Sequence, residues 1–276
     1  MAANATGKQV LRASYELFRQ DKKMAWLPVI ASCSAVATIG IFVLLGWVVA
    51  PNRIGIYAGA AMGGALSSFV TILCNVALVF AATDRIEGRT PTIAGSLSHA
   101  WSRRVVIFKW TVVSVIIGSI IRAIERRVGF LGSIFAFLAA VAWSVAIFFV
   151  IPVIAFENVG PFEAVHRSSS ILKARFGTVA RSSLRFGLLF AVPVIAAAVV
   201  FGLGVAVATR VAALGVPIAA AGFVGLLVVG VYASAASIYM RTVLYRFVTD
   251  QPVPDMGVDL GSVLLAKSGR NGLFSR

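Results

Sequence analysis

The chain has 276 residues, of which 59% are hydrophobic and 13% charged, with a formal net charge of +15 and a mean hydropathy of +0.94. Soluble domains carry roughly a quarter charged residues, and the apolar excess here is gathered into long uncharged runs that a water-facing surface cannot hold. Disordered, collagenous, disulfide-scaffold and soluble nucleic-acid-binding classes are excluded, which leaves a polytopic membrane protein.

A basic segment comes first. In "LRASYELFRQDKK", Val10, Leu11, Tyr15, Leu17 and Phe18 share one helical face opposite Arg12, Glu16 and Arg19, which predicts an interfacial amphipathic helix over residues 8–23. A hydrocarbon core of about 30 Å needs about 20 helical residues. Five runs meet that length and a sixth, shorter one is otherwise wholly apolar, so the predicted spans are 25–49, 55–83, 105–121, 129–156, 186–209 and 213–240, followed by a cytoplasmic tail 241–276. The third run contains Lys109, about one turn from its start, where the stem can lie along the helix while the ammonium reaches headgroups. The fold class is all-α: one integral membrane domain over 1–276, with six transmembrane helices in three hairpins and no soluble domain.

Each hairpin is preceded by a basic amphipathic piece. Before the second, Thr90 and Pro91 supply a cap and first-turn proline, and Ile93, Leu97, Ala100 and Trp101 form the apolar stripe. Before the third, Pro161 starts a helix, Phe162, Val165, Leu172 and Phe176 align, and Gly177 can end it. Ser14, Ser98 and Ser168 recur within these pieces, as duplication of one unit would produce; ordinary basic loops entering a membrane look similar.

Charge orients the bundle. Residues 1–23, 84–109, 157–185 and 241–276 each carry five Lys or Arg, while the intervening connections carry only Arg53, then Arg122, Arg126 and Arg127, then Arg210. This four-to-one split is a positive-inside pattern that predicts both termini in the cytoplasm, in a bacterial cytoplasmic membrane. No cleavable signal peptide fits the 23 residues before the first span. Confinement of the excess charge to one membrane face removes any need for a nucleic-acid partner. Arg12, Arg19, Lys22, Lys23, Arg103, Arg104, Lys109, Arg167, Lys173 and Arg175 are expected to face anionic lipid headgroups. Membrane lipids are thus the expected partners, with a membrane protein or a second copy as further candidates.

Within the spans, Gly55, Gly59, Gly63 and Ser67 recur at every fourth place and allow close helix approach, inside the bundle or across a homodimer. Asn75 is the strongest uncharged polar group in any span and calls for a partner on a neighbouring helix or a role in a solute path. Pro28, Pro152, Pro193 and Pro217 predict kinks. Cys33 and Cys74 fall inside spans and read as small apolar packers, with no disulfide framework or zinc site.

Catalysis requires positioned acid, base, nucleophile or metal. His99 and His166 lie in the basic pieces, and Glu163 with His166 shares one helix face, which is no metal site. Glu157 can cap a helix, pair with Arg167 or bind a cation. No catalytic residue, metal or cofactor is assigned, and an enzyme is not expected.

The stretch "PVIAFENVGPFEAVHRSSSILKARFG" carries Pro152, Glu157, Asn158, Gly160, Pro161, Glu163, Ser168, Lys173 and Gly177. This pattern, with the leading "ASYELFRQDKKMAWLPVI", resembles uncharacterised bacterial six-helix membrane proteins similar to the membrane domain of glycerophosphoryl diester phosphodiesterases. The resemblance implies a fold and a location; the catalytic domain of those enzymes is absent, so it implies no hydrolysis. The expected function is a non-enzymatic accessory or organising membrane protein. The alternative is a small transporter or channel for a lipid or an uncharged solute.

Overall fold

A computed structural model describes residues 19–127, 129–249 and 251, with side chains described except at 125–133, 174–182 and 184–186. Most of the amphipathic segment 8–23, the side chains of Arg12 and Arg175, Ser14, Phe176 and the tail beyond 251 fall outside that description.

Every regular element among the described residues is helical. A single 3₁₀ turn, Lys22–Ala25, leads into α1 (Trp26–Val49), followed by α2 (Arg53–Ile86), α3 (Ile93–Ser102), α4 (Arg104–Arg127), α5 (Gly129–Ala146), α6 (Val150–Glu157), α7 (Pro161–Ala208) and α8 (Ala212–Val248). Among the described residues six segments are long and apolar enough to cross a membrane: Lys22–Val49, Arg53–Ile86, Arg104–Ile124, Ile134–Glu157, Gly187–Ala208 and Ala212–Val248. The chain is a multi-pass, membrane-type helical bundle.

Local chemistry sets the boundaries. Asn52 is extended and its side chain accepts from the Gly55 N–H at 3.0 Å, capping α2. Thr92, not Thr90, caps α3: its hydroxyl accepts from the Gly95 N–H at 3.1 Å, so Thr90 and Pro91 precede the helix. The run 129–156 is broken between α5 and α6 at residues 147–149. Pro152 explains the break, since it has no N–H to donate and its ring crowds the carbonyl four residues back. Asn158 then ends α6 in the left-handed region at φ 54°, a conformation that Asn tolerates better than most side chains.

Two predicted boundaries move. Gly177 does not end a helix; α7 runs unbroken through 48 residues, about 72 Å at 1.5 Å per residue. A lone glycine costs only about 1 kcal/mol in a helix interior and nothing after it competes for the backbone. The third amphipathic piece is therefore the opening of the fifth span's own helix. Its buried side is Ala164, Ser168, Ile171 and Leu172, while Phe162 is exposed. Likewise residues 241–248 are not tail but the last two turns of α8, and they are largely buried. Pro193 and Pro217 both sit inside continuous helices.

Packing divides the molecule in two. The predicted glycines face α1: a Cβ at Gly59 would meet the Phe42 carbonyl oxygen, and one at Gly63 would meet Ile39 Cα at 2.8 Å. Gly46 and Gly55 oppose each other in the same seam. The α7–α8 pair uses the same device, with Gly204 against Ala219, Gly215 against Ala208 and Gly222 against Phe201. Contact between different pairs is concentrated at the basic end of the bundle. The continuous core gathers there, from Met24–Ala31, Leu73–Ile86, Ala100–Trp110, Phe149–Ala155, Ala164–Leu172 and Ala235–Tyr245. Trp110 of α4 stacks on Trp143 of α5 at 5.9 Å within it. Toward the opposite end, Val36, Val48 and Val49 of α1 and Val192, Leu203 and Leu214 of α7 and α8 are exposed, as lipid-facing surfaces are.

Replacing Gly59 by Leu should force α1 and α2 apart and lower stability by roughly 2 kcal/mol. Gly64, whose added Cβ would meet nothing within 4 Å, should accept Leu without loss. Thermal unfolding of the two variants in detergent, followed by tryptophan fluorescence, checks this; equal midpoints would remove the seam from the account.

Candidate functional site: the polar hub at the basic end

The last turns of α8 present Tyr239, Thr242 or Val243, and Arg246 at helical spacing, with Tyr245 beside them, all buried. Each polar member reaches a different part of the bundle. Tyr239 interacts with Asp21, whose carboxylate takes both Nε and Nη2 of Arg85. Tyr245 donates its hydroxyl proton to Glu157 Oε1 at 2.6 Å, and Arg167 Nε donates to the same oxygen at 3.1 Å. Arg246 Nη2 donates to Glu87 Oε1 at 2.5 Å. Phe156 stacks on Tyr245 at 5.4 Å and lies under the Arg246 guanidinium at 5.9 Å. One helix end thus touches the segment before α1, the end of α2, and the junction of α6 and α7.

Two further bonds complete the floor. Ser168 of α7 is fully buried and its hydroxyl accepts from the Phe149 N–H at 3.0 Å, filling a donor freed by the α5–α6 break. Arg241 lies over the Phe148 ring at 4.9 Å, and its Nε has no hydrogen-bond partner among the described residues. Outside the bundle, Arg89 bridges Asp84 and Glu87, each at 2.6 Å.

Electrostatics follow from these contacts. Partial burial pushes the Glu87 carboxyl up, but hydrogen bonds from Arg246 and Arg89, with their charges, outweigh it and hold the group below its ordinary value. The hydrogen bond to Glu157 raises the Arg167 pKa, and bonds to Asp84 and Glu87 raise that of Arg89.

The residues singled out in the sequence fall into three groups. Pro152, Glu157, Asn158, Gly160, Pro161 and Ser168 meet in the turn from α6 to α7, where they break, pair, reverse, start and cap helices. Glu163 lies in the first turn of α7, exposed, where a carboxylate suits the helix N-terminus. His166 and Lys173 are exposed on α7, and His99 rests against Phe80 at 5.6 Å between ring centres. Among the described residues no three His, Cys, Asp or Glu are grouped to hold a metal ion. Arg19, Lys22, Lys23, Arg104 and Lys109 are exposed, whereas Arg103 is half-buried and Arg167 is engaged by Glu157. Cys33 is exposed and Cys74 buried.

Asn75 forms no hydrogen bond with a neighbouring helix among the described residues. It lines a cavity of about 330 Å³ with Ser32, Thr71 and Ser234, between α1, α2 and α8. Sequence reasoning missed Asp21, Arg85, Glu87, Tyr239, Tyr245 and Arg246. Their one local signal is the spacing of Tyr239 and Arg246 two turns apart, on either side of Arg241, the first arginine after the apolar run.

The lowered Glu87 pKa has a definite sign. Its pairing contributes fully above the ordinary value of about 4.3 and is lost as pH falls through the lowered folded value. The thermal midpoint in detergent should hold from pH 7 to pH 5 and fall below about pH 4. Glu87→Gln should lower the neutral midpoint and flatten the acid fall; an acid fall parallel to that of the unmodified protein would contradict the assignment.

No curated protein and no solved structure matches the chain. The family of unknown function DUF6159 matches residues 62–253, which take in α2 from its first third to the end of α8 and the whole hub except Asp21. The chain belongs to family DUF6159.

Proposed function

We propose that this protein is a non-enzymatic component of a bacterial cytoplasmic membrane, with both termini inside. It organises or accompanies its surroundings by contacting anionic lipid headgroups, or a partner protein, at the basic end. One observation carries the reading. Asp21, Asp84, Glu87 and Glu157 are held by arginines of the hub and its margin, so Arg19, Lys22, Lys23, Arg104, Lys109 and Lys173 stay exposed with no carboxylate partner among the described residues. Internal pairing leaves the outward charge uncompensated, and each such cation near an anionic membrane surface is worth about 1 kcal/mol.

A conduit for an uncharged solute is the second reading. It is favoured by the Asn75 cavity, since a carboxamide without a partner in a span is costly unless something polar visits it.

Reconstitution into liposomes of mixed phosphatidylglycerol and phosphatidylcholine tests both. The accessory reading predicts enrichment of the anionic lipid around the protein, declining with salt, and glycerol permeability equal to that of empty vesicles. Equal occupancy by both lipids would overturn it, and raised glycerol permeability would transfer the case to the conduit.

A further inference from the structure

We propose that the groove between α1 and α8 is a binding site for one anionic phospholipid, with its headgroup at Lys22 and an acyl chain running inward past Cys33. The proposal rests on the anionic-lipid reading above and gives it a place. The groove has a volume of about 420 Å³ and is lined by Lys22, Trp26 and Cys33 on one wall and Val228, Val231 and Tyr232 on the other. Its origin is in the sequence. α1 and α8 belong to different glycine-seamed pairs, and where they face each other their side chains are small: Ala31, Ser32 and Ala35 on α1, Gly230 and Ser234 on α8. The gap left by those residues is the Asn75 cavity, which shares Ser32, Leu227 and Val231 with the groove and continues it toward the bundle axis.

The order of chemistry along the groove selects the occupant. Lys22 is the one charged residue in the lining and stands at the basic end, exposed, beside exposed Lys23. Its neighbour Asp21 gives no competing negative charge, because Arg85 takes both carboxylate oxygens. Trp26, 60% exposed, stands one turn deeper at the level that amphipathic rings prefer. Beyond it the walls are apolar as far as Cys33, apart from Ser32 where the Asn75 cavity adjoins. Lys22 to Cys33 is about 16 Å of helix, close to half of a 30 Å hydrocarbon core. A cation at the surface and one leaflet's depth of apolar wall match a phosphate headgroup with its chain. A helix from a second copy, apolar across the whole membrane, leaves Lys22 without a counter-charge.

The test uses the full chain. Native mass spectrometry from detergent supplied with equal phosphatidylglycerol and phosphatidylcholine should show one tightly retained phosphatidylglycerol. Lys22→Glu should weaken its retention about tenfold or more, as expected for reversing one surface cation. Val228→Trp fills the groove from a half-exposed, lipid-facing position and should abolish retention while leaving the thermal midpoint unchanged. Arg104→Glu, an exposed cation away from the groove, should reduce only the general anionic enrichment and leave the tightly retained lipid in place. Retention unaffected by Val228→Trp or by Lys22→Glu overturns the groove site, as do equal losses from Lys22→Glu and Arg104→Glu. If general anionic enrichment survives those results, the accessory reading stands without the groove; if the unmodified protein shows no anionic preference, both fall.

Discussion

The end of α8 is where this bundle is tied together. In lipid, burying apolar side chains gives helices little reason to associate, since the surrounding tails are equally apolar. Association has to come from close backbone packing and from polar bonds. Glycine seams supply the first within the α1–α2 and α7–α8 pairs. Between the pairs, Tyr239, Tyr245 and Arg246 supply the second by engaging Asp21 with Arg85, Glu157 with Arg167, and Glu87. Each bond joins groups that are costly to bury alone, so removing one partner leaves a buried charge or hydroxyl exposed to an apolar surrounding.

That arrangement decides what the rest of the surface can be. Because inter-pair contact gathers at one end, the opposite halves of α1, α7 and α8 turn their apolar residues outward, and clefts open between pairs. A second such cleft, lined by Phe42, Leu66 and Phe69 of the first pair and Phe108 and Val112 of α4, has a volume of about 560 Å³ and no charged residue. The hub also sorts the charges. With Asp21, Asp84, Glu87 and Glu157 taken by arginines, Lys22, Lys23, Lys109 and Lys173 stay exposed without a carboxylate partner among the described residues.

Much of this was legible in the chain. Spans are readable because a membrane demands about 20 consecutive residues without charge, and Gly55, Gly59 and Gly63 announce close approach by spacing alone. The ends of the helices were less readable. Gly177 looked like a stop, yet α7 passes through it, and Arg241 looked like the start of a tail, yet α8 buries two more turns. An arginine ends an apolar run on a hydropathy scale, while in the fold the helix continues past Arg241, which lies over Phe148, to Arg246, which finds Glu87. Most of the hub left little local trace, since three of its bonds join residues 64, 88 and 159 positions apart; the exception is Arg167 on Glu157, ten positions apart. The motif from Pro152 to Ser168 was legible as a motif but not as a purpose; in the fold its residues break, reverse and start helices, and Ser168 accepts from the Phe149 N–H.

The central claim is that the helix pairs are fixed to one another at the basic end and not along their length. Distances between nitroxide labels in lipid nanodiscs test it most directly, with both native cysteines replaced by serine. One label pair is placed at Lys23 and His166, close in sequence to Asp21 and Arg167 of the hub, and the other at Val49 and Leu214 at the far ends of the first and last pairs, all exposed positions. The account predicts a narrow distance distribution near the hub and a distinctly broader one at the far ends. Equally narrow distributions at both ends would contradict it.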